Sequence, residues 1–247
     1  MMQNGDIRGI NMEDTEKLYK NYYFNEFKSL GTDYNDPEEI RIYDERMGKL
    51  RNIKKEIDDT IKIIDLKKGD ILLEIGCGTG EFCIEAAKRC SKIIALDVSK
   101  NMLEYAKNKA SNKGITNISF VNAGFLSYEH EGKPVDLVVS SIALHHLPDF
   151  WKLMALKNIN SMLKEKGKFY LHDVVFSFDT NNFEKAVECW INQTNDDRMK
   201  KNMVNHISEE FSTTNWIMEK IIEHAGFSIE SKEYKNDFFA SYLCTKN

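Results

Sequence analysis

Apolar positions follow two different rules along this chain. Over residues 37–65, Ile40, Tyr43, Met47, Leu50, Ile53, Ile57, Ile61 and Ile64 recur at three- and four-residue steps, which puts them on one face of a helix. Asp36-Pro37 marks its start, because an Asp N-cap takes up a free amide and Pro tolerates the first turn. A helix is also predicted over 12–30, parted from the next by Leu30-Gly31-Thr32-Asp33. The first 66 residues thus read as a helical preface.

From Lys67 the apolar runs become short and nearly continuous. Ile71–Ile75, Lys92–Asp97, Ile118–Asn122, Val135–Ser140 and Lys168–Val174 read as strands, and the stretches at about 81–90, 100–113 and 150–163 as helices. Ser99 is placed to cap the helix from Lys100, and Gly114 to end it. Apolar strands alternating with helices predict a parallel sheet covered on both faces. Residues 177–208 are polar, with helical spacing at Phe183, Val187, Trp190 and Ile191. A helix at about 209–225 is stopped by Gly226. Phe227–Tyr234 and Phe238–Thr245 flank the turn residues Lys235-Asn236-Asp237 and predict an antiparallel pair. The expected fold class is α/β: a doubly wound, mostly parallel, seven-stranded sheet closed by an antiparallel hairpin.

The densest chemical signal is Leu73-Glu74-Ile75-Gly76-Cys77-Gly78-Thr79-Gly80-Glu81-Phe82. A strand running through alternating glycines into a helix lets backbone amides approach a ligand closely. Asp97 closes the next strand, about 20 residues on, where an acid in nucleotide-binding α/β folds accepts hydrogen bonds from ribose hydroxyls. The dinucleotide fingerprint is GxGxxG, and Glu81 stands where its third glycine belongs. A carboxylate there repels a pyrophosphate but not a sulfonium with an amino-acid tail, so the spacing favours S-adenosylmethionine over NAD.

His145 and His146 follow the fourth strand, at the carboxyl edge of the sheet where open α/β folds bind ligands. Either removes a proton from an acceptor, or packs against a lid or caps the next helix. Adjacent residues are expected to point apart, so no metal site is assigned. His172-Asp173 either positions a substrate or caps a loop. Tyr19, Tyr22, Tyr23, Phe24 and Phe27 read as core of the preface in preference to a cover over the site, with Tyr43 the better cover residue. The run from Asn195 to Lys201 reads as a solvated lid surface, and Cys77 as a packing residue.

Composition narrows the class further. The 247 residues are 42% hydrophobic and 30% charged with a formal net charge of −5, so no global basic field gathers nucleic acid. The first twenty residues lack the apolar core of a signal peptide. The most apolar run, Leu137 to Leu144, is far short of the roughly 18 residues that span a bilayer. Five cysteines without a CxxC pair fit reduced thiols and a cytoplasmic setting.

LEIGCGTGEF, with ALDVS at 95–99 and Met102-Leu103 after it, resembles the class I S-adenosylmethionine-dependent methyltransferases over residues 66–175 and on to the terminal hairpin. SSIALHHLPD (140–149), LKEKGKFYL (163–171) and HAGF (224–227) are similar to the small-molecule branch that includes ubiquinone- and menaquinone-biosynthesis enzymes. Phe24-Asn25-Glu26-Phe27 and LPDFWK (147–152) look like a further bacterial group of methyltransferases.

The resemblance implies a Rossmann-like methyltransferase fold. It implies a helical lid over 1–66 on a core of 67–247 with a helical insertion at about 177–208. By the same resemblance Glu74, Gly76, Cys77, Gly78 and Gly80 hold the methionine end of the cofactor, and Asp97 the ribose. Val98 and Met102 flank the adenine, and Ser140 lies beneath the sulfonium. Many relatives carry an Asp after the third strand. Here Asn122-Ala123-Gly124-Phe125 has none, which leaves the adenine to backbone at Gly124 and stacking on Phe125. The implied activity (EC 2.1.1.-) moves a methyl group from S-adenosyl-L-methionine to a small or medium-sized acceptor and leaves S-adenosyl-L-homocysteine. The expected protein is a monomer or homodimer without a nucleic-acid partner. An RNA or protein methyltransferase, or a non-catalytic S-adenosylmethionine-binding module, shares the same core.

Overall fold

The computed structural model describes residues 22–28 and 36–247. Asp36 caps the first described helix, α1 (Pro37–Leu50), by accepting the Glu38 amide at 2.9 Å. The single helix expected over 37–65 is two. Arg51 turns to an extended backbone, and Asn52 caps α2 (Ile53–Ile63) by accepting the Lys55 amide. The apolar periodicity runs straight through this break, so it hid a local capping signal. The helix expected over 12–30 lies mostly outside the described residues, and its described part, 22–28, is turns and bends instead.

The core then alternates β1 (Ile71–Ile75), α3 (Glu81–Ala86), β2 (Lys92–Asp97), α4 (Lys100–Asn112), β3 (Ile118–Asn122), β4 (Val135–Ser141), α5 (Asp149–Met162) and β5 (Leu163–Phe176). There follow α6 (Phe183–Ile191), α7 (Asp197–Glu209), β6 (Thr213–Thr214), α8 (Asn215–His224), β7 (Phe227–Lys235) and β8 (Phe239–Lys246). The helix expected over 209–225 begins only at Asn215, because Phe211 to Thr214 extend and β6 pairs with the end of β5. The seven predicted strands form one sheet in the order β3-β2-β1-β4-β5-β8-β7. β1 to β5 run parallel, and β8 lies antiparallel between β5 and β7.

The central strands feed both faces. Leu73, Ile94 and Leu96 pack with α5 and α8 on one side. Leu72, Ile93 and Ala95 pack on the other with Ile57, Ile61 and Ile64 at the α2 end of the preface. The expectation that the preface aromatics form its core fails where they are described: Tyr22, Tyr23 and Phe27 are exposed, and Tyr19 lies outside the described residues. Tyr23 packs at a tilt against Trp151 and Phe24 packs edge-on to Phe211, so this segment leans on the core rather than on its own helix. Strand order reverses between β1 and β4, and the crevice at their carboxyl ends is where ligands bind in such sheets.

Candidate functional site

The glycine loop is pinned to the neighbouring strand. Gly76 and Cys77 both donate their amides to the Leu96 carbonyl at 2.9 Å. Gly76 has φ +79°, and a Cβ there would stand 2.5 Å from that of Ala143, so the loop and the β4 exit meet only because this residue has no side chain. Asp97 completes the arrangement by accepting the Gly78 amide on Oδ2 and the Ser99 amide on Oδ1, each at 2.8 Å. Burial raises its pKa despite these donors. Glu74, the penultimate residue of β1, is buried and its Oε2 has no hydrogen-bond partner. Burial, then Asp97, pushes its carboxyl well above the usual range.

These groups open on a cavity of about 1290 Å³. Of the residues assigned from sequence to catalysis or cofactor binding, Glu74, Gly76, Cys77, Gly78, Asp97, Val98, Met102, Gly124, Phe125 and His146 line it. Three do not. Gly80 caps α3 in a left-handed conformation against Ala106. Ser140 is fully buried, and its hydroxyl donates to the Ile75 carbonyl at 2.9 Å, joining β4 to β1. His145 lies behind the wall, 3% exposed. Tyr43, Arg51, Tyr170, His172, Phe239 and Ser241 line the cavity too. There His172 Nδ1 meets the Ser241 hydroxyl at 2.9 Å.

Contrary to the expectation for neighbours in sequence, His145 and His146 lie with ring centroids 4.3 Å apart, because a 3₁₀ turn (Leu144–His146) folds them together. His145 Nδ1 contacts Asp173 at 2.5 Å, and its Nε2 contacts Glu210 at 3.2 Å. Asp173 is thereby a partner of His145, with its other oxygen on the His145 amide. Burial opposes a charge on His145, but Asp173 and Glu210 outweigh it and hold its pKa at about 9. For His146, burial and the neighbouring His145 act together and lower the pKa to about 4. Glu210 also pairs with His206 Nδ1, whose Nε2 meets Ser212 at 2.7 Å. Atoms of His145, His146 and Glu210 fall within 4.8 Å of one another, but both nitrogens of His145 are already engaged. The cluster is a hydrogen-bonded clasp between α7 and the core.

Sequence reasoning passed over several contributors. His206 sits in the polar stretch and Glu210 at the start of the helix expected over 209–225, and neither belongs to a motif. Asp44 on α1 accepts from the Thr79 hydroxyl and from Lys109 Nζ, both at 2.6 Å, and so ties the preface to the glycine loop. Glu26 reaches the loop after β3, accepting the Ser127 amide at 2.7 Å. Only Tyr43 among the cover residues carried a signal, its place in the apolar stripe of α1.

The family described as "Methyltransferase domain" matches residues 66–237, more than two thirds of the chain. An uncharacterized methyltransferase of Geobacillus sp. (strain WCH70) is 26% identical over 215 residues, covering 86% of this chain and 94% of that protein. A demethylmenaquinone methyltransferase of Oceanobacillus iheyensis is 31% identical over 113 residues, covering 44% of this chain and 47% of its own length. Among solved structures, an S-adenosylmethionine-dependent methyltransferase from Clostridium acetobutylicum superposes with a TM-score of 0.65 at 17% identity, covering 84% of this chain and 97% of that one. The glycine loop, the Asp97 it holds and strands β1 to β7 lie within the matched residues, and the chain belongs to this methyltransferase-domain family.

Proposed function

We propose that this protein transfers the methyl group of S-adenosylmethionine to a small or medium-sized acceptor and releases S-adenosylhomocysteine. The observation that carries the reading is one continuous cavity, running from Glu74, Gly78 and Asp97 to Tyr170 and His172. Its roughly 1290 Å³ exceeds the ~300–1,000 Å³ of a single-ligand pocket and accommodates a cofactor and an acceptor together.

The donor set fits that cofactor. The unpartnered Glu74 Oε2 is an acceptor waiting for a donor, which the ammonium of the methionine end provides. The amides of Gly78 and Ser99 hold Asp97 with lone pairs left for two ribose hydroxyls. Val98, Met102, Gly124 and Phe125 line the same cavity and are the residues available to the adenine. The cofactor supplies a methyl group already activated by its sulfonium, so the chain's task is alignment and exclusion of water.

Of the two histidines, His146 faces the cavity. With its pKa lowered to about 4 it is neutral near pH 7 and accepts a hydrogen bond from the acceptor's O–H or N–H, directing a lone pair at the methyl group. His145, engaged on both nitrogens, is a positioning residue. Residues 26–28, α1 and α2 line the cavity and act as covers that select the acceptor, with α2 anchored in the core, whereas no residue of the insertion at 177–208 lines it. Among the described residues no helix is long and apolar enough to cross a membrane. The reading is of a cytoplasmic monomer or homodimer without a nucleic-acid partner, the last of these supported by the net charge of −5.

Calorimetric titration of the purified chain with S-adenosylmethionine, S-adenosylhomocysteine and NAD tests the reading. One-to-one binding of the two adenosyl-sulfur ligands, lost in Asp97→Ala, supports it. Binding of NAD alone refutes it. Incorporation of labelled methyl from the cofactor into the small-molecule fraction of a cell extract, rather than into RNA or protein, then identifies the acceptor class.

A further inference from the structure

The end of the cavity beyond Asp97 holds a carboxylate from a remote part of the chain. Both oxygens of Glu26 accept the Leu126 amide at 3.1 Å, and Oε1 also accepts the Ser127 amide at 2.7 Å, across 100 residues of sequence. Gly124 makes room for it, since a Cβ there would collide with the Glu26 carboxylate. Glu26, Gly124 and Phe125 line the same cavity as Asp97.

Topology says what belongs at that end. The carboxyl ends of β1, β2 and β3 lie side by side and carry the glycine loop, Asp97 and the 122–127 loop in that order. With the amino-acid tail at the glycine loop and the ribose on Asp97, the base extends toward the third of these. That loop offers no acid of its own. Its Asn122 side chain is turned back, donating to the Asp97 and Val98 carbonyls at 3.0 and 2.9 Å. The carboxylate at this end of the row is Glu26.

We infer that Glu26 determines specificity for the base by accepting a hydrogen bond from the 6-amino group of adenine. This rests on the S-adenosylmethionine reading above. A carboxylate presents only acceptor sites, about four in all, so the amides of Leu126 and Ser127 leave capacity for an amine. The same carboxylate faces a 6-oxo base acceptor to acceptor, which is repulsive. The N-terminal segment and the cofactor thereby recognise each other, since the group that reads the base arrives on residues 22–28.

The test is calorimetric titration of the full chain with S-adenosylhomocysteine and with its S-inosyl counterpart, in which the adenine amine is replaced by a carbonyl. The wild type is expected to prefer the adenosyl ligand about tenfold or more, the usual effect of one unpaired hydrogen bond to a charged group. In Glu26→Gln, whose carboxamide offers either a donor or an acceptor, the preference collapses to within about twofold while affinity for the adenosyl ligand falls about tenfold. Glu26→Ala loses the same affinity. A general loss of structure weakens both ligands alike and leaves their ratio intact, which overturns the inference. So does a wild type without preference, or a Glu26→Ala variant that binds S-adenosylhomocysteine as tightly as wild type or more tightly, the behaviour of a carboxylate that merely fills the base's place. If the wild type binds neither ligand, the cofactor reading itself has failed. If it binds S-adenosylhomocysteine and ignores Glu26, only this inference falls.

Discussion

Replacing Glu210 by Gln removes one charge from the buried clasp that fastens α7 to the core. Glu210 Oε2 receives His145 Nε2 at 3.2 Å and His206 Nδ1 as well, and its side chain is 8% exposed. Gln keeps the volume and one acceptor, but leaves His145 with Asp173 as its only carboxylate partner. Breaking one side of a buried ion pair costs about 3–5 kcal/mol, and the retained amide hydrogen bond offsets part of it. The expected loss is about 3 kcal/mol, a fall in melting temperature of roughly 6–12 °C for a chain of this size. The pH dependence is the sharper reading. His145 has its folded pKa raised to about 9 from 6.5, so its contribution is complete below pH 6.5 and disappears as pH rises through 9. The folded pKa of Glu210 is depressed despite its burial, by His145 and His206, so its contribution is present above about pH 4.5 and is lost on acidification. Asp173, His206, His146 and, through Asp173, Lys152 share this field. The wild type should be most stable near pH 5–6.5 and weaken toward pH 9, whereas Glu210→Gln should show a flatter alkaline limb. Calorimetric melting at half-unit pH steps is the assay. Hydrogen exchange over 197–214 then shows whether the loss is confined to α7 and β6. Equal melting temperatures at pH 6, together with parallel pH curves, would refute the clasp.

Other expectations follow from single contacts. Gly76→Ala should destabilise by about 1–3 kcal/mol, because the new methyl meets Ala143 at a positive φ; adding Ala143→Gly should return part of that in urea unfolding, and strict additivity would show the contact is unimportant. Lys152→Met removes a fully buried ammonium held by Asp149 at 2.7 Å and by the Phe211 carbonyl. It should cost about 1–3 kcal/mol in the same assay and increase proteolysis near 205–214, while an unchanged cleavage pattern would argue against its holding the β6 segment. Once an acceptor is in hand, His146→Ala should lower kcat about 100-fold while changing affinity for S-adenosylhomocysteine less than twofold. An unchanged kcat would remove His146 from the reaction.

The parts of this protein that were legible in its sequence are those set by neighbours a few residues apart. Asp36-Pro37 and Ser99 announce helix starts because a cap acts within one turn. The apolar runs from Ile71 to Val174 announce covered parallel strands because both faces of the inner strands β1, β2, β4 and β5 are buried. Gly76, Gly78 and Asp97 stand out because a strand-to-helix turn and the end of the next strand keep a regular spacing. Where a local signal was weaker than a longer pattern it was lost, as at Asn52, and β6 is a two-residue strand created only by its pairing with β5. Tertiary structure alone decided the rest. It chose which of two adjacent histidines faces the cavity, by giving His145 buried carboxylates on both nitrogens. It set Ser140 into the sheet as a strand-to-strand tie. It also brought Glu26 to Leu126, Asp44 to Thr79 and Glu210 to His145 across long stretches of sequence. Such pairs carry no spacing rule, because the distance between their members is fixed by how helices and loops pack on the sheet and not by the chain that joins them.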